Sequence, residues 1–321
     1  MNKIMVAQSE NYGMGTVINN KVFGEQAEEA LQAALNESVR LEGVLSRFIP
    51  DSEISRINNS AGIGHEKVSS ETYEVLSQAV EFSKCCQGCF DVTVGPLVDL
   101  WTDAKDKSKP PGEARIRSIL PLVRYTDLVL DPCKETVGLK KAVQSIDLGG
   151  IGKGFAADKI LEVFKKYEVS SAFTNFGGNV AVIGAKPDGS PWRVGIRHPR
   201  KENSLIGIVS VVNKSVVTSG DYQRCFIGND GKRYHHILDP TSGYPSESGL
   251  ISVTIVADNS AAADALSTIL FIAGMNRGIE ILKSFPGTEA ILIDSNLFLY
   301  VTHGLKDGFQ PGEGINMKIL N

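Results

Sequence analysis

Hydrophobic residues along this chain recur at two spacings, one typical of helices and the other of strands. Over residues 25–45 they recur every three or four positions and no proline interrupts them, which predicts an amphipathic helix. Pro50 follows as a helix breaker. Further helices are predicted over residues 70–84, 154–167, 259–273 and 276–284.

Alternating and β-branched runs predict strands between and after these helices. A hairpin-like start is predicted over residues 4–22, and further strands over residues 171–175, 180–183, 192–197, 205–212, 215–218, 251–256, 290–293 and 297–302. Helices and antiparallel-looking hairpins are mixed without a regular strand–helix–strand repeat. The pattern therefore favours the α+β class over a doubly wound parallel sheet.

The size of the chain, 321 residues, exceeds what one hydrophobic core usually fills, so one large domain with two lobes, or two domains, is expected. Residues 104–117 combine several lysines with two prolines and a glycine, which predicts a flexible loop or an inserted connection. A net charge of −4 argues against broad nucleic-acid binding. No apolar run approaches the roughly 18 residues that a membrane-spanning helix needs.

Features that bear on the compartment point to the cell interior. Residues 1–12 lack the basic and apolar regions of a secretion signal, so a cytoplasmic protein is expected, or an extracytoplasmic or lipid-anchored one if a signal was removed. Five cysteines, among them Cys85, Cys86 and Cys89, argue by their odd number against a disulfide framework. Free thiols rather than a metal site are expected there, which favours a reducing compartment.

The segment with the most specific chemistry is residues 147–158, where four glycines and Lys153 lie between a strand-like run and a helix. Glycine lets a backbone turn sharply and approach a ligand closely. The helix N-terminus that follows offers free N–H groups and a positive dipole to an anion. The spacing matches neither the P-loop nor the Rossmann fingerprint. The segment therefore indicates a phosphate or pyrophosphate site near Lys153, or else a tight turn with an exposed lysine.

Two other segments carry candidate chemistry. Asp264 and Thr268 are four residues apart on an alanine-rich helix, so their oxygens project from one face. A carboxylate and a hydroxyl suit Mg²⁺ better than zinc, although a solvated aspartate is the alternative. His235 and His236 precede an Asp-Pro turn, and neighbouring strand residues point to opposite faces, so one of them is a candidate base. A purely structural role is the alternative for both.

Eight segments in one order connect these features, namely residues 14–16, 46–53, 90–97, 147–158, 175–179, 219–222, 235–243 and 263–268. Together they resemble the ApbE family, the FAD:protein FMN transferases. The resemblance implies an α+β, two-lobed fold with antiparallel or mixed sheets and flanking helices, as one domain over residues 1–321. It also implies an enzyme that uses Mg²⁺, transfers the FMN moiety of FAD to a Thr or Ser hydroxyl of an acceptor flavoprotein, and releases AMP.

Residue roles follow from the same resemblance. The implied metal ligands are Gly150, through its carbonyl, and Asp264, Ser267 and Thr268. Lys153 would meet the FAD phosphates, and the other implied FAD contacts are Met14, Phe48, Cys89, Phe90, Asp91, Asp147 and Ile237. His236 is the implied base for the acceptor hydroxyl, with His235 and Asp221 left open. Family members often carry tyrosine at the position of Phe48, so ring stacking is expected there without a hydroxyl hydrogen bond.

Two other functions remain open from the sequence. An FAD pyrophosphatase would use the same metal and FAD residues with water as the acceptor, giving FMN and AMP. A non-catalytic FAD-binding protein would bind FAD without regard to Mg²⁺. A monomer and a homodimer are both compatible with the chain.

Overall fold

Helices and strands are mixed along the chain in a computed structural model that describes residues 5–320. The helices are α1 (Ala27–Leu45), α2 (Glu53–Asn59), α3 (Ser70–Cys85), α4 (Gly95–Asp106), α5 (Glu113–Ile119), α6 (Gly152–Lys166) and α7 (Ser260–Leu282). Three short 3₁₀ turns lie at Leu120–Leu122, Tyr125–Asp127 and His303–Leu305.

The strands are mostly short and fall largely after α6. They are β1 (Val6–Gly13), β2 (Thr16–Phe23), β3 (His65–Lys67), β4 (Leu128–Asp131), β5 (Thr136–Leu139), β6 (Ser171–Phe176), β7 (Asn179–Ile183), β8 (Trp192–Arg197), β9 (Leu205–Val211), β10 (Ser215–Gly220), β11 (Phe226–Ile227), β12 (Arg233–Tyr234), β13 (Leu250–Ala257), β14 (Glu289–Asp294), β15 (Leu299–Thr302), β16 (Phe309–Pro311) and β17 (Met317–Leu320).

One sheet organises the molecule. Its strand order is β1-β2-β6-β7-β10-β13-β14-β15-β17, and every neighbouring pair is antiparallel except β15 with β17. Smaller sheets have the orders β16-β9-β8, β3-β5-β4 and β11-β12. The predicted α+β class with antiparallel and mixed sheets is confirmed.

Both faces of the main sheet are covered, and strand alternation explains how. Along β14, Ala290 and Leu292 belong to the core that includes the buried faces of α1, α6 and α7. Ile291 and Ile293 point the other way, into a second core with residues of β8 and β9. Because successive side chains of a strand face opposite sides, one continuous apolar strand can serve two cores.

The composition of the long, mostly apolar helix α7 is compatible with either a core helix or a membrane-spanning helix. Among the residues that the structure describes, it is the one helix long and apolar enough to cross a membrane. In that window 56% of the residues are buried inside the protein, as expected for a core helix. Gly274, with a φ of 76°, interrupts the helix where the sequence predicted two separate helices.

The segment that the sequence predicted as a loop, residues 104–117, is helical at both ends, and only residues 107–112 form a connection outside the helices. α4 continues to Asp106 and buries Trp101 and Ala104, while α5 begins after Gly112. The helical spacing of these buried residues decides the structure, and the prolines fall in the short connection between the two helices. The hairpin predicted from residue 4 has its first strand at Val6, and residue 4 lies outside the described residues.

Candidate functional site

A cavity of about 680 Å³ opens where α6 and α7 meet the ends of β2 and β10. Every residue that the sequence predicted for the site lines this cavity, with the exception of Ser267 and of Asp221, one of the alternative bases. These residues come from sequence positions as far apart as Met14 and Thr268, so the fold assembles the site.

The glycine turn brings two helix starts together. A Cβ atom on Gly154 would lie 2.2 Å from the carbonyl oxygen of Ser260, so only glycine lets α6 begin against the start of α7. This contact allows the Gly154 N–H to donate to Asp264 Oδ2 at 3.0 Å. The free N–H groups of the α6 N-terminus thereby meet a carboxylate carried by α7.

Lys153 bridges the turn and that carboxylate. Its Nζ donates to the Gly149 carbonyl at 2.8 Å and lies 3.4 Å from Asp264 Oδ2. The Asp264 side chain is 5% exposed, and the ion pair and the N–H of Gly154 compensate its burial. A positive charge is therefore held at the floor of the cavity beside a nearly buried carboxylate.

Hydroxyl groups continue this polar floor along α7 and β10. Ser219 Oγ lies 2.8 Å from Ser267 Oγ and 3.4 Å from Thr268 Oγ1. Ser267 also donates to the Asp264 carbonyl at 2.8 Å. A Cβ atom on Gly150 would lie 3.5 Å from Thr268 Oγ1, which places the Gly150 backbone next to the threonine. Ser219 was not predicted individually, although the segment that contains it was part of the family resemblance.

The oxygen donors fit Mg²⁺ better than a transition metal. Within residues 5–320 no group of three or more His, Cys, Asp or Glu side chains is placed to hold a metal ion. One carboxylate with neutral oxygens leaves most of the coordination to water and substrate phosphates, which is the usual arrangement for Mg²⁺. Asp264, Thr268 and the Gly150 carbonyl are suitable donors. The hydroxyl of Ser267 already bonds to its own helix and to Ser219.

The two neighbouring histidines have different roles. His236 Nδ1 lies 3.1 Å from the Gln223 carbonyl oxygen, which can only accept, so Nδ1 carries the proton and Nε2 has a free lone pair. His235 uses both nitrogens, with Nε2 3.0 Å from the Ser246 carbonyl and Nδ1 accepting from the Ile237 N–H. His236 is therefore the one of the pair with a ring nitrogen available to a ligand.

Burial and nearby cations set the protonation of His236. Burial, followed by the positive charges of Arg224 and Lys153, lowers its pKa to about 4. Its ring is nevertheless open to the cavity. The imidazole is thus neutral at neutral pH. Asp221, the other candidate base, forms a two-point ion pair with Arg200 at 2.6 and 2.7 Å.

Phe48 stands at the rim of the cavity with 81% of its surface exposed. The Arg47 guanidinium lies 5.6 Å from the ring centroid and pairs with Asp99 and Asp147 at 2.7 and 3.1 Å. An exposed ring with a fixed neighbour offers a stacking surface for a planar ligand. Arg47 was not predicted as part of the site, because its partners lie far from it in sequence.

Other predicted FAD contacts line the cavity in different ways. Both carboxylate oxygens of Asp91 are already used, one by Thr93 and the other by the Tyr125 N–H at 2.6 Å. Burial raises the Asp91 pKa, and the side chain mainly holds the local turn. Met14 has a left-handed φ of 50°, and its N–H donates to Glu42 Oε1 at 2.7 Å.

The cysteine cluster contributes one wall. Cys86 and Cys89 are buried free thiols, and only Cys89 of the two lines the cavity. The hydrogen bond from Cys89 lowers the pKa of Cys86 to about 7 and raises that of Cys89. The Phe90 N–H also points at Cys86 Sγ, at 3.2 Å.

Comparison with known proteins gives a consistent result. The model of the ApbE family matches residues 14–292. A Klebsiella pneumoniae protein named FAD:protein FMN transferase is 33% identical over 93% of this chain and 92% of its own length. A Treponema pallidum protein of the same name is also 33% identical, over 92% of this chain and 86% of its own.

Solved structures agree with these sequence relatives. The crystal structure of the ApbE protein from Thermotoga maritima superimposes with a TM-score of 0.87 at 30% identity, covering 95% of this chain and 99% of that one. The flavin transferase ApbE from Vibrio cholerae gives a TM-score of 0.84 at 25% identity, covering 95% and 100%. On the evidence of the matched sequence and fold, this chain belongs to the ApbE family.

Proposed function

We propose that this protein transfers the FMN moiety of FAD to a Thr or Ser hydroxyl of a target flavoprotein and releases AMP. The names of its relatives support this reaction. One structural observation carries the proposal. Lys153 lies beside the Asp264 carboxylate and is also among the charges that act on His236, so cation, metal donors and base share one cavity.

FAD would occupy this cavity with its pyrophosphate at the start of α6. The helix N-terminus and Lys153 favour an anion there. Phe48 offers its exposed ring to a planar group of the ligand, and Met14, Cys89, Phe90 and Ile237 supply apolar wall. Asp147 acts through Arg47, which it holds by an ion pair at 3.1 Å.

Mg²⁺ would be held by Asp264, Thr268 and the Gly150 carbonyl. When bound there it would neutralise charge on the pyrophosphate oxygens. Ser267 keeps Ser219 in place at 2.8 Å, so its role is to order the hydroxyls next to the donors. Lys153, at 3.4 Å from Asp264, adds a fixed positive charge to the same region.

The proposed reaction transfers one phosphoryl group and one proton. The acceptor hydroxyl oxygen bonds to the FMN-side phosphorus, and the bond from that phosphorus to the bridging oxygen breaks. AMP leaves with the bridging oxygen, and the hydroxyl proton passes to His236 Nε2. Positioning and charge neutralisation carry most of the catalysis in phosphoryl transfer, and a neutral imidazole held by the Gln223 carbonyl is a positioned acceptor for the proton.

Hydrolysis of FAD is the nearest competing reaction, since water could take the place of the acceptor hydroxyl at the same residues. The test is to incubate the protein with FAD and a quinone-reductase-like acceptor domain, with and without Mg²⁺. We expect a fluorescent acceptor on a denaturing gel only with Mg²⁺. We expect labelling to fall by about a thousandfold in Asp264→Ala, the scale of losing a group that acts mainly in the transition state.

The matched control is Asp258→Ala, which removes an aspartate whose side chain is 78% exposed and that is paired only with Lys214 among the described residues. It should label the acceptor at the wild-type rate. Free FMN and AMP without any labelled acceptor would instead indicate a pyrophosphatase. FAD that binds tightly and is never cleaved, with or without Mg²⁺, would contradict the proposed enzyme altogether.

A further inference from the structure

A second cavity of about 320 Å³ adjoins the one assigned to FAD. One wall is aromatic, formed by Phe173 and Trp192, whose ring centroids are 5.4 Å apart. Thr218 and Gln223 line both cavities, so the two spaces meet there. Because the Gln223 carbonyl holds His236 Nδ1 at 3.1 Å, the second cavity ends next to the candidate base.

The main sheet opens along this cavity. Among the described residues, β7 and β10 pair at two positions, Val180 with Val216 and Ala181 with Ser215. β10 stays paired with β13 on its other side as far as Gly220. Its edge towards β7 is therefore free from Thr218 onward. Opposite it runs β8, which is the edge strand of its own sheet. Free strand edges of this kind bind extended peptide segments.

Positive charge lies on β8 beside the cavity. Arg193 and Arg197 are four residues apart on this strand, so they lie on the same face of it, and both border the cavity and are exposed. Trp192 and Ile196 project from the opposite face of β8 into the second core. Within residues 5–320, neither guanidinium has a carboxylate oxygen within 4.0 Å. The salt bridges of this region join Arg200 to Asp221 instead. In a chain of net charge −4, two unpaired arginines beside a free strand edge are suited to an acidic partner.

We propose that this second cavity is an acceptor groove, which binds the flavinylation segment of the target protein as an extended chain. Acidic side chains near the modified residue pair with Arg193 and Arg197. The segment passes Thr218 and Gln223 and presents its Thr or Ser hydroxyl to His236. The inference rests on the proposed function and adds to it the chemical class of the protein substrate, an extended acidic segment around the acceptor hydroxyl.

The test uses steady-state labelling of a quinone-reductase-like acceptor domain that carries a threonine flavinylation site. Arg193→Glu and Arg197→Glu should each raise the KM for the acceptor by about tenfold or more, equivalent to about 1.4 kcal/mol of lost binding. The Kd for FAD should stay within about twofold of wild type. An acceptor whose acidic residues near the threonine are changed to lysine should label poorly with wild type and recover with the Arg193→Glu/Arg197→Glu variant.

Arg115→Glu makes the same change of charge on α5, at an exposed arginine that lines neither cavity, and should leave the acceptor KM unchanged. An unchanged acceptor KM in both groove variants would overturn the inference, as would an equal rise in Arg115→Glu, which would indicate only long-range attraction. A raised Kd for FAD would assign the cavity to FAD instead. Failure of wild type to label any acceptor would remove the proposed function itself, and this role with it.

Discussion

Single residues at the site act through hydrogen bonds that fix their protonation. In His236 the Gln223 carbonyl holds the proton on Nδ1, while burial, together with the charges of Arg224 and Lys153, keeps the pKa at about 4. An imidazole accepts a proton only above its pKa, so activity through this base is lost as the pH falls through that value. The bound pyrophosphate brings negative charge towards the same cations, which should raise the pKa in the complex.

This gives a prediction for the pH profile. The acidic limb of kcat/KM, which reports the free enzyme, should have its midpoint near pH 4, and the limb of kcat should lie at higher pH. His236→Gln should lower kcat by about a hundredfold or more and abolish the difference between the limbs. His235→Gln serves as the neighbouring control. A kcat/KM limb at pH 6–7 in wild type would contradict this account of the base.

Asp158 provides a second prediction at this scale. Its two oxygens accept from the N–H groups of Ser260 and Ala261 at 2.7 and 2.8 Å, capping the helix that carries Asp264. Burial raises its pKa from 3.8 to about 6 despite these bonds. Because the folded pKa lies above the unfolded value, this group binds a proton more readily in the folded state. Its stabilising contribution is complete below about pH 4 and is lost as the pH rises through 6.

Urea unfolding of wild type and Asp158→Asn at pH 4.5 and pH 8 measures this effect, because the asparagine does not titrate. Wild type should lose about 2 kcal/mol relative to the variant between the two conditions. Each tenfold difference in proton affinity between the folded and unfolded states is worth about 1.4 kcal/mol, and part of the full contribution is already lost at pH 4.5. A relative gain for wild type with rising pH would mean that the two N–H donors outweigh burial.

Site residues that lie in distinctive local patterns could be predicted from the sequence. Site residues whose hydrogen-bond or ion-pair partners are distant in sequence could not. The glycine turn with Lys153, and the pair Asp264 and Thr268, could be predicted from spacing and family resemblance together. Arg47 and Ser219 could not be predicted one by one, because their polar partners lie 100 and 48 residues away, respectively. Such pairings become visible only when the tertiary fold is known.

Secondary-structure elements show the same division between local and tertiary information. Long periodic helices such as α1 and α6 were predicted with nearly correct bounds. Residues 104–117 were predicted as a loop from their prolines and lysines. The structure instead extends α4, which buries Trp101 and Ala104 at helical spacing, and begins α5, which buries Ile116. Gly274 bends α7, as the sequence indicated by ending one helix near it.

The contact between α6 and α7 leads to a prediction for two elements. Gly154→Ala would place a Cβ atom 2.2 Å from the Ser260 carbonyl, so the helix starts must separate. We expect a loss of about 1–3 kcal/mol in the free energy of unfolding. Labelling should also fall, because the Gly154 N–H no longer meets Asp264 at 3.0 Å.

The control for this helix contact is Gly43→Ala on the exposed side of α1, where a Cβ atom meets nothing within 4 Å. Replacing an unstrained helical glycine with alanine should stabilise the protein by about 0.5–1 kcal/mol. Both free energies are measured by urea unfolding. Equal behaviour of the two variants would mean that the helix starts are not in close contact in solution.

At the scale of the whole molecule, the site exists only when the complete fold is formed. Its residues come from the β1–β2 turn, the segment after α1, the glycine turn, the end of β10 and the middle of α7. The glycine turn carries the anion site and one proposed metal donor, the Gly150 carbonyl, but the other donors, Asp264 and Thr268, lie on α7. Binding of FAD and Mg²⁺ should therefore be coupled to global folding, since the unfolded chain has no preformed site for either.

This coupling can be measured by equilibrium unfolding in urea with saturating FAD, with and without Mg²⁺. For wild type, FAD at a hundred times its Kd should stabilise the fold by about 2.7 kcal/mol, and Mg²⁺ should add a further increment. Asp264→Ala should keep stabilisation by FAD alone but lose the increment from Mg²⁺, because the one carboxylate among the proposed ligands is gone. Asp258→Ala should retain both. An increment of equal size in wild type and Asp264→Ala would place the metal elsewhere and separate Asp264 from Mg²⁺ binding, whatever its effect on catalysis.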